Sequence, residues 1–353
     1  MSIADWRRMV DKVDQQLLAL ISRRARLAAR IGQAKTATSK RAFVPTREKE
    51  IYSHLRRNNR GPLSDAAIRS IFREIVSACR ALEEPVRIAY LGPEATFTHV
   101  AAYSVFGHAA EYIPAGDIRS VFETAETGRA QCGVVPIENS SEGTVRETLD
   151  TFLTSELRIM SEEVLPIHLT LMGSGKLSQV KRVCSKPIAL AQCRAWLSEH
   201  LPDAELVETA STSAAAAEAA RRKDVAVVAH EMAAEIYGLK VIQPRIEDYE
   251  RNVTRFLVIG SDRPARTGRD KTSVLCSVKH EPGALWKLLD IFRKHGLNIS
   301  YLYPRPSRDK PWEYFFFLDI EGHREDEPVA AGLTEAERYC SFFKVLGSFP
   351  KAD

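Results

Sequence analysis

The stretch EEPVRIAYLGPEATFTHVAAYSVFG, residues 83–107, marks a change in the character of the chain. Residues 86–91 predict a β-strand, the following Gly-Pro pair predicts a turn, and Thr96 or Thr98 can cap the helix that comes next. From there to about Ile259, apolar strand-like runs alternate with helix-like segments. We therefore expect an α/β arrangement with two lobes, whose ligand cleft lies where strand ends meet helix starts.

The residues before this stretch are helical in pattern. Between Asp5 and Ala34 there is no proline, one glycine, and apolar residues at helical spacing. This predicts one helix of about 30 residues and ~45 Å. A second helix is expected after Pro45 and a third over 65–82. Because three helices of this size cannot bury so long a stripe in a monomer, we expect an intertwined dimer.

Charge is concentrated in the same region. Residues 1–84 hold 18 Lys and Arg against 9 Asp and Glu, whereas the whole chain has a net charge of +4. On a helix, Arg24 and Lys35 lie within about 20° of one face and Arg7 lies about 100° away. If all three serve one anion pocket, Arg7 must come from a second chain.

A new pattern of predicted strands and helices begins after the polar linker SDRPARTGRD, residues 261–270. Its alternation of strands and amphipathic helices predicts a βαββαβ, ferredoxin-like layout. The fold class is therefore multidomain, with an all-α head at 1–84, a two-lobed α/β region at 86–262 and an α+β region at 271–353.

Composition places the chain among ordinary globular proteins, with 353 residues, 44% hydrophobic and 27% charged. The six cysteines are scattered without metal-ligand spacing, which indicates reduced thiols and no metal site. No apolar run is long enough for a membrane span, and the first residues lack a signal-peptide core. We expect a cytoplasmic protein.

The helical head resembles the all-helical chorismate mutase domain. The resemblance rests on DWRRMV, ISRRARLAARIGQAK and VPTREKE. It implies a pericyclic reaction in which the site clamps two carboxylates and stabilises charge on an ether oxygen. The substrate residues it implies are Arg7, Arg24, Lys35, Arg47, Glu48 and Cys79, with Lys35 and Glu83 as catalytic residues.

Three positions depart from the pattern of some family members. This chain has Val44 where an Asp can occur, Cys79 where a Ser can occur and Glu83 where a Gln can occur. A charged Glu83 would repel the ether oxygen, so it must be protonated to help. We expect mutase activity to fall as the pH rises and Glu83 loses its proton.

The region 86–262 resembles prephenate dehydratase, through YLGPEATFTHVAA, VVPIENSSEGTV, VCSKPIALAQC, STSAAA and NVTRFLVI in this order. The resemblance implies loss of carbon dioxide and water from prephenate without a cofactor. The site residues it implies are Thr254 as proton donor, Asn139, Glu138, Ser185, Gln192, Arg255 and Thr96. Ser185 and Gln192 would lie on successive helical turns of a helix beginning near Pro187. Arg255 is left with either a structural or a carboxylate-pairing role.

The C-terminal region resembles an ACT domain, a module that pairs to bind an amino-acid effector, here expected to be phenylalanine. The implied effector residues are Gly283, Ala284, Leu285, Asn298 and Arg305. Tyr303 and Pro304 replace the usual Glu and Ser, so feedback by phenylalanine is expected to be weaker, absent or retuned.

Alternatives remain at this point. The chain could be a dehydratase whose mutase domain is impaired. The basic head and the two lobes could instead form a ligand-responsive DNA-binding regulator. The cleft could also belong to a binding protein that binds a ligand without catalysing a reaction. The enzyme interpretation is favoured, with chorismate and prephenate as substrates, no nucleic-acid or membrane partner, and a homodimer or higher oligomer.

Overall fold

The computed structural model describes residues 1–36, 43–209, 212–249, 251–307 and 314–352, without the side chains of residues 35 and 36. The chain divides into two compact units. The first comprises Met1–Arg87 and Val105–Glu111, and the second comprises Ile88–Ser104 and Tyr112–Asp353.

The first unit contains the three predicted helices, α1 (Ile3–Thr36), α2 (Pro45–Asn58) and α3 (Asp65–Ala81). Pro45 opens α2, where its fixed φ and missing N–H suit the first helical turn. Ser64 caps α3 by accepting the backbone N–H of Ala67 at 3.2 Å. Pro45 was the signal from which the sequence predicted α2, whereas α1 was predicted from the helical spacing of its apolar residues.

Strands and helices alternate from Arg87 to Gly260, as predicted. In chain order they are β1 (Arg87–Leu91), α4 (Phe97–Phe106), β2 (Glu111–Ala115), α5 (Ile118–Glu126), β3 (Cys132–Asn139), β4 (Gly143–Thr144), α6 (Arg146–Thr154), β5 (Arg158–Pro166), β6 (Thr170–Gly173), a 3-10 turn (Leu177–Gln179), β7 (Arg182–Ser185), α7 (Pro187–Gln192), α8 (Arg194–His200), β8 (Glu205–Glu208), α9 (Thr212–Arg221), β9 (Val225–Ala229), α10 (Met232–Tyr237), β10 (Lys240–Gln243) and β11 (Val253–Gly260).

These strands form two sheets, one for each lobe. The first lobe has the order β2-β1-β3-β11-β5, with β4 paired to β3, and the second has the order β10-β6-β9-β7-β8. The chain leaves the first lobe after β5 and returns with β11, which pairs antiparallel with both β3 and β5. This return places residues near 254 beside residues near 139.

The C-terminal region has the predicted βαββαβ order: β12 (Asp270–Ser277), α11 (Ala284–Lys294), β13 (Ile299–Pro306), β14 (Tyr314–Glu321), α12 (Glu327–Tyr339) and β15 (Phe342–Pro350). Its antiparallel sheet has the order β13-β14-β12-β15. Gly283 precedes α11 with a φ of +78°, a left-handed conformation that favours glycine.

One apolar core joins the first lobe to the C-terminal sheet. Ile159 and Leu257 of the lobe belong to the same buried cluster as Leu275 and Phe317 of the C-terminal sheet. A side chain at Gly347 would lie 2.3 Å from the carbonyl oxygen of Ile159. This close approach explains why both regions fall in one compact unit.

Candidate active sites

A pocket of about 290 Å³ lies between the two lobes of the second unit. Its walls come from β3 and β11 on one side and from β7, α7 and the end of β9 on the other. Five of the residues predicted from the sequence line it: Thr96, Asn139, Ser185, Gln192 and Thr254. The fold therefore brings side chains from four separate motifs into one cleft.

The centre of this cleft is a hydrogen-bond network around Asn139. Its Nδ2 donates to Thr254 Oγ1 and to Asn252 Oδ1, both at 2.8 Å. Its Oδ1 accepts the backbone N–H groups of Ser141 at 2.9 Å and Glu142 at 3.0 Å, which fixes the orientation of the amide. The oxygen of Thr254 is thus an acceptor within the protein. Among the described residues, no group accepts its hydroxyl hydrogen, which is available to a ligand.

Ser185 and Gln192 reach the cleft from different elements. The expectation that they lie on successive helical turns is wrong, because Pro187 opens α7 and Ser185 is the last residue of β7. Ser185 Oγ donates to the carbonyl oxygen of Val228 at 2.5 Å. Gln192 ends α7, and its Nε2 donates to Glu142 Oε1 at 3.3 Å, linking the two walls.

Thr96 contributes at the start of α4. Its Oγ1 donates to the carbonyl oxygen of Leu91 at 2.9 Å and accepts the backbone N–H of His99 at 3.4 Å. Of the two threonines that could cap this helix, Thr96 is therefore the one that does so. The cap fixes the helix start at the cleft wall.

Glu138 and Arg255 do not line the cleft, which corrects their predicted placement. They pair across β3 and β11, next to Asn139 and Thr254, and successive strand residues point to opposite faces. Arg255 Nε donates to Glu162 Oε2 at 2.7 Å, and its Nη1 lies 2.6 Å from Asp319 Oδ2 of β14. Burial raises the pKa of Glu138, an effect that Arg255 opposes.

Glu142 and His230 line the cleft but were not predicted as site residues from the sequence. Glu142 lies inside the VVPIENSSEGTV motif, so membership of this motif was the signal that could have identified it as a site residue. His230 directly follows β9, and nothing in its local sequence separates it from other histidines.

A second pocket, of about 340 Å³, lies among the helices of the first unit. The predicted residues that line it are Arg24, Arg47, Glu48, Cys79 and Glu83, and Val44 lines it as well. Lys35 belongs to α1, but its side chain lies outside the described part of the structure. Of the basic residues that the sequence singled out, Arg24 and Arg47 thus line this cavity.

Arg80 is a pocket residue that sequence reasoning missed. It is 5% exposed and forms an ion pair with Glu48. Its Nη2 donates to the carbonyl oxygen of Phe106 at 2.6 Å, and its guanidinium carbon lies 5.5 Å and 5.4 Å from the ring centres of Phe43 and Phe106. Burial raises the pKa of Glu48, whereas Arg80 and Arg24 oppose this. Arg80 therefore holds the Glu48 carboxylate in the pocket.

Arg7 does not line this pocket. It lies 17 residues before Arg24 on α1, which corresponds to about 25 Å along the helix axis. A side chain cannot span that distance. Within a single chain, Arg7 and Arg24 therefore cannot bind the same small molecule.

The C-terminal region has a small pocket of about 120 Å³ at the start of α11. Of the predicted effector residues, Ala284 and Leu285 line it, and Gly283 directly precedes them. Asn298 and Arg305 lie outside its lining, and Arg305 binds both carboxylate oxygens of Asp150 at 2.7 and 2.6 Å. The predicted effector set is thus divided between this pocket and other contacts.

Within the described ranges, no group of three or more His, Cys, Asp or Glu side chains has a metal-binding arrangement. No helix among the same residues combines the length and apolar character that crossing a membrane requires.

Three family models match the chain in order: chorismate mutase type II at residues 6–84, prephenate dehydratase at 88–264 and the ACT domain at 272–336. A bifunctional chorismate mutase/prephenate dehydratase of Aquifex aeolicus is 45% identical over 99% of this chain and 98% of its own. The protein of the same description from Pseudomonas aeruginosa is 40% identical over 97% and 96%.

Solved structures agree with these matches. The prephenate dehydratase of Arthrobacter aurescens, solved in complex with L-Phe, superposes with a TM-score of 0.69 and 38% identity over 75% of this chain and 90% of its own. Because all three regions match in order and relatives align over nearly the full length, the chain belongs to the bifunctional chorismate mutase/prephenate dehydratases.

Proposed function

We propose that the chain converts chorismate to prephenate in the helical pocket and prephenate to phenylpyruvate in the cleft between the lobes, using the residues assigned below. The family supports the two reactions. The observation that carries the residue assignment is the hydrogen bond from Asn139 Nδ2 to Thr254 Oγ1 in the cleft.

In the helical pocket, the rearrangement needs only orientation and charge stabilisation. Arg24 and Arg47 bind the carboxylates of chorismate, since guanidinium groups match carboxylate geometry. Glu48, held by Arg80, accepts a hydrogen bond from the substrate hydroxyl. Lys35 and the carboxyl group of Glu83 donate to the ether oxygen as its bond to carbon breaks.

The pocket is completed by a second copy of the chain. The apolar residues of α1 are exposed in the single chain, among them Trp6, Val10, Val13, Leu17, Leu20, Leu27 and Ile31. A continuous apolar surface of this length indicates an interaction site. Pairing α1 with α1 of a second copy covers the stripe and gives Arg7 of that copy a route to the pocket. The homodimer is therefore part of the mutase mechanism.

In the cleft, the reaction breaks two bonds of prephenate. The bond from ring carbon 1 to its carboxylate breaks, and the electron pair moves through the ring to expel the hydroxyl at carbon 4. Thr254 donates its hydroxyl hydrogen to that departing oxygen, which leaves as water, and Oγ1 then takes up a proton from solvent, so that threonine is restored. The N–H of Asn139 stabilises the negative charge that develops on Oγ1 as the proton moves.

The ACT region binds an amino-acid effector at the pocket containing Ala284 and Leu285, closed by a second copy. The L-Phe complex of the Arthrobacter aurescens protein makes phenylalanine the first effector to test. Tyr303 and Pro304 make weakened or retuned inhibition the expected result. The six cysteines are not joined in disulfides, which supports a reducing, cytoplasmic setting.

A pair of substitutions at Thr254 tests the cleft assignment. Thr254→Val removes the hydroxyl at nearly constant volume, whereas Thr254→Ser keeps it. We expect the valine variant to lose about 10²- to 10⁴-fold in kcat for prephenate, and the serine variant to retain most of that activity. The urea transition followed by far-UV circular dichroism serves as the folding control in both. A valine variant within tenfold of the unsubstituted protein contradicts the assignment.

A further inference from the structure

His230 lies on the wall of the cleft opposite the Thr254 strand. It follows β9, a strand buried along its whole length in the second lobe, and precedes α10. Thr254 comes from β11 in the sheet of the first lobe. Both residues line the same pocket, so a bound molecule contacts them from two sides.

The ring of His230 is held in one orientation and one tautomer. Its Nδ1 lies 3.1 Å from the backbone N–H of Met232 and must accept that hydrogen, which places the ring proton on Nε2. Phe97 packs edge-on against the ring, with centroids 5.6 Å apart and planes at 80°. Nε2 has no hydrogen-bond partner among the described residues. The result is a fixed N–H donor on a residue that lines the cleft.

The surroundings of His230 favour the uncharged imidazole. Burial lowers the pKa of His230, an effect that Glu231 opposes and His168 reinforces. A neutral donor suits this reaction, because a full positive charge beside the ring carboxylate would stabilise the ground state that must lose carbon dioxide.

We propose that His230 is a further substrate-binding residue of the dehydratase site and donates its Nε2–H to the carboxylate of the pyruvyl side chain of prephenate. The inference rests on the proposed function. The hydroxyl at carbon 4 and the substituents at carbon 1 lie at opposite ends of the substrate ring. If Thr254 donates its proton to the hydroxyl at carbon 4, a hydrogen-bond donor on the facing wall reaches the substituents at carbon 1.

The test compares three variants of the full-length protein. His230→Leu removes the donor, His230→Gln keeps an N–H near the position of Nε2, and His200→Gln is the control at a histidine outside the cleft lining. We expect KM for prephenate to rise about 10- to 100-fold in the leucine variant, with a smaller change in kcat. The glutamine variant at 230 should recover most of this loss, and the control should match the unsubstituted protein.

Inhibition by phenylpyruvate identifies the substrate group that is bound. This product keeps the pyruvyl carboxylate but has lost the ring carboxylate and the hydroxyl. If the proposal is right, its inhibition constant rises in His230→Leu by a factor similar to that for KM. An unchanged constant, an unchanged KM, or a glutamine variant as impaired as the leucine variant overturns the proposal.

The same assays separate this inference from the proposed function. A urea transition like that of the unsubstituted protein, followed by far-UV circular dichroism, checks that each variant is folded. If the unsubstituted protein forms no phenylpyruvate from prephenate, the proposed function fails. If it does form phenylpyruvate and His230→Leu has the same KM, only the role of His230 fails.

Discussion

Replacing Arg255 with methionine removes one positive charge from a buried cluster of ion pairs. This cluster joins β11, the strand that carries Thr254, to the C-terminal sheet. Arg255 is 8% exposed and contacts Glu162 at 2.7 Å and Asp319 at 2.6 Å. After the substitution, Glu162 keeps its ion pair with Lys271 at 3.0 Å. Asp319, which is fully buried, keeps only the hydroxyl of Ser273 at 2.5 Å among the described contacts.

The free-energy cost follows from this arrangement. Removing one partner of a buried ion pair costs about 3 to 5 kcal/mol, because the remaining charge is left without compensation. Lys271 still compensates Glu162, so we expect the lower end, about 3 kcal/mol. The matched control is Arg119→Met. Its pair with Glu123 has side chains 79% and 52% exposed, and exposed pairs contribute less than about 1 kcal/mol.

Urea denaturation measures both variants, followed by far-UV circular dichroism and by residual dehydratase activity at equal protein concentration. Arg255→Met should shift the transition of the dehydratase and ACT regions to clearly lower urea, and Arg119→Met should not. Adding Asp319→Asn to the Arg255→Met variant should restore part of the loss, since it removes the uncompensated charge. Equal midpoints for the two methionine variants refute the reasoning.

The pH dependence provides a second readout of the same cluster. Burial raises the pKa of Glu162, but Arg255 and Lys271 outweigh it and hold the pKa below the usual 4.5. The folded state therefore favours the carboxylate. This stabilisation is fully present above the unfolded-state pKa and is lost as the pH falls through the lower folded-state pKa. We expect Arg255→Met to flatten the decline in stability on the acid side.

Three further predictions concern the mutase. Arg80→Met should reduce kcat/KM for chorismate by about 10-fold or more, because Glu48 loses its buried partner, whereas Arg73→Met should change it little. Leu17→Glu should shift the protein toward monomers in sedimentation and abolish mutase activity while sparing dehydratase activity; an intact dimer contradicts the α1 interface. Glu83→Gln keeps a hydrogen-bond donor and should retain mutase activity, whereas Glu83→Leu should lose it; equal activities of these two variants remove Glu83 from the mechanism.

Local signals in the sequence were enough for most of the fold. Pro45 and Ser64 mark helix starts, and these depend only on neighbouring residues. The two lobes followed from the alternation of strands and helices. Ser185 was expected on the same helix as Gln192, although Pro187 fixes the helix start two residues later.

Contacts between side chains far apart in the sequence could not be predicted from such local signals. The ion pair between Arg80 and Glu48 joins residues that are 32 positions apart in the sequence. The ion pair between Arg255 and Asp319 joins β11 to β14 of the C-terminal sheet. Strand alternation alone does imply that Arg255 and Thr254 point to opposite faces. Family motifs assign both to one site and thereby obscured this.

The most direct test of the account is phenylpyruvate formation by the full-length protein from chorismate and, separately, from prephenate, with Thr254→Ala measured in parallel. The account predicts product from both substrates. In the variant it predicts accumulation of prephenate from chorismate and no phenylpyruvate from either substrate. Phenylpyruvate at the unsubstituted rate in Thr254→Ala would contradict the central claim that the cleft around Thr254 and Asn139 is the dehydratase site.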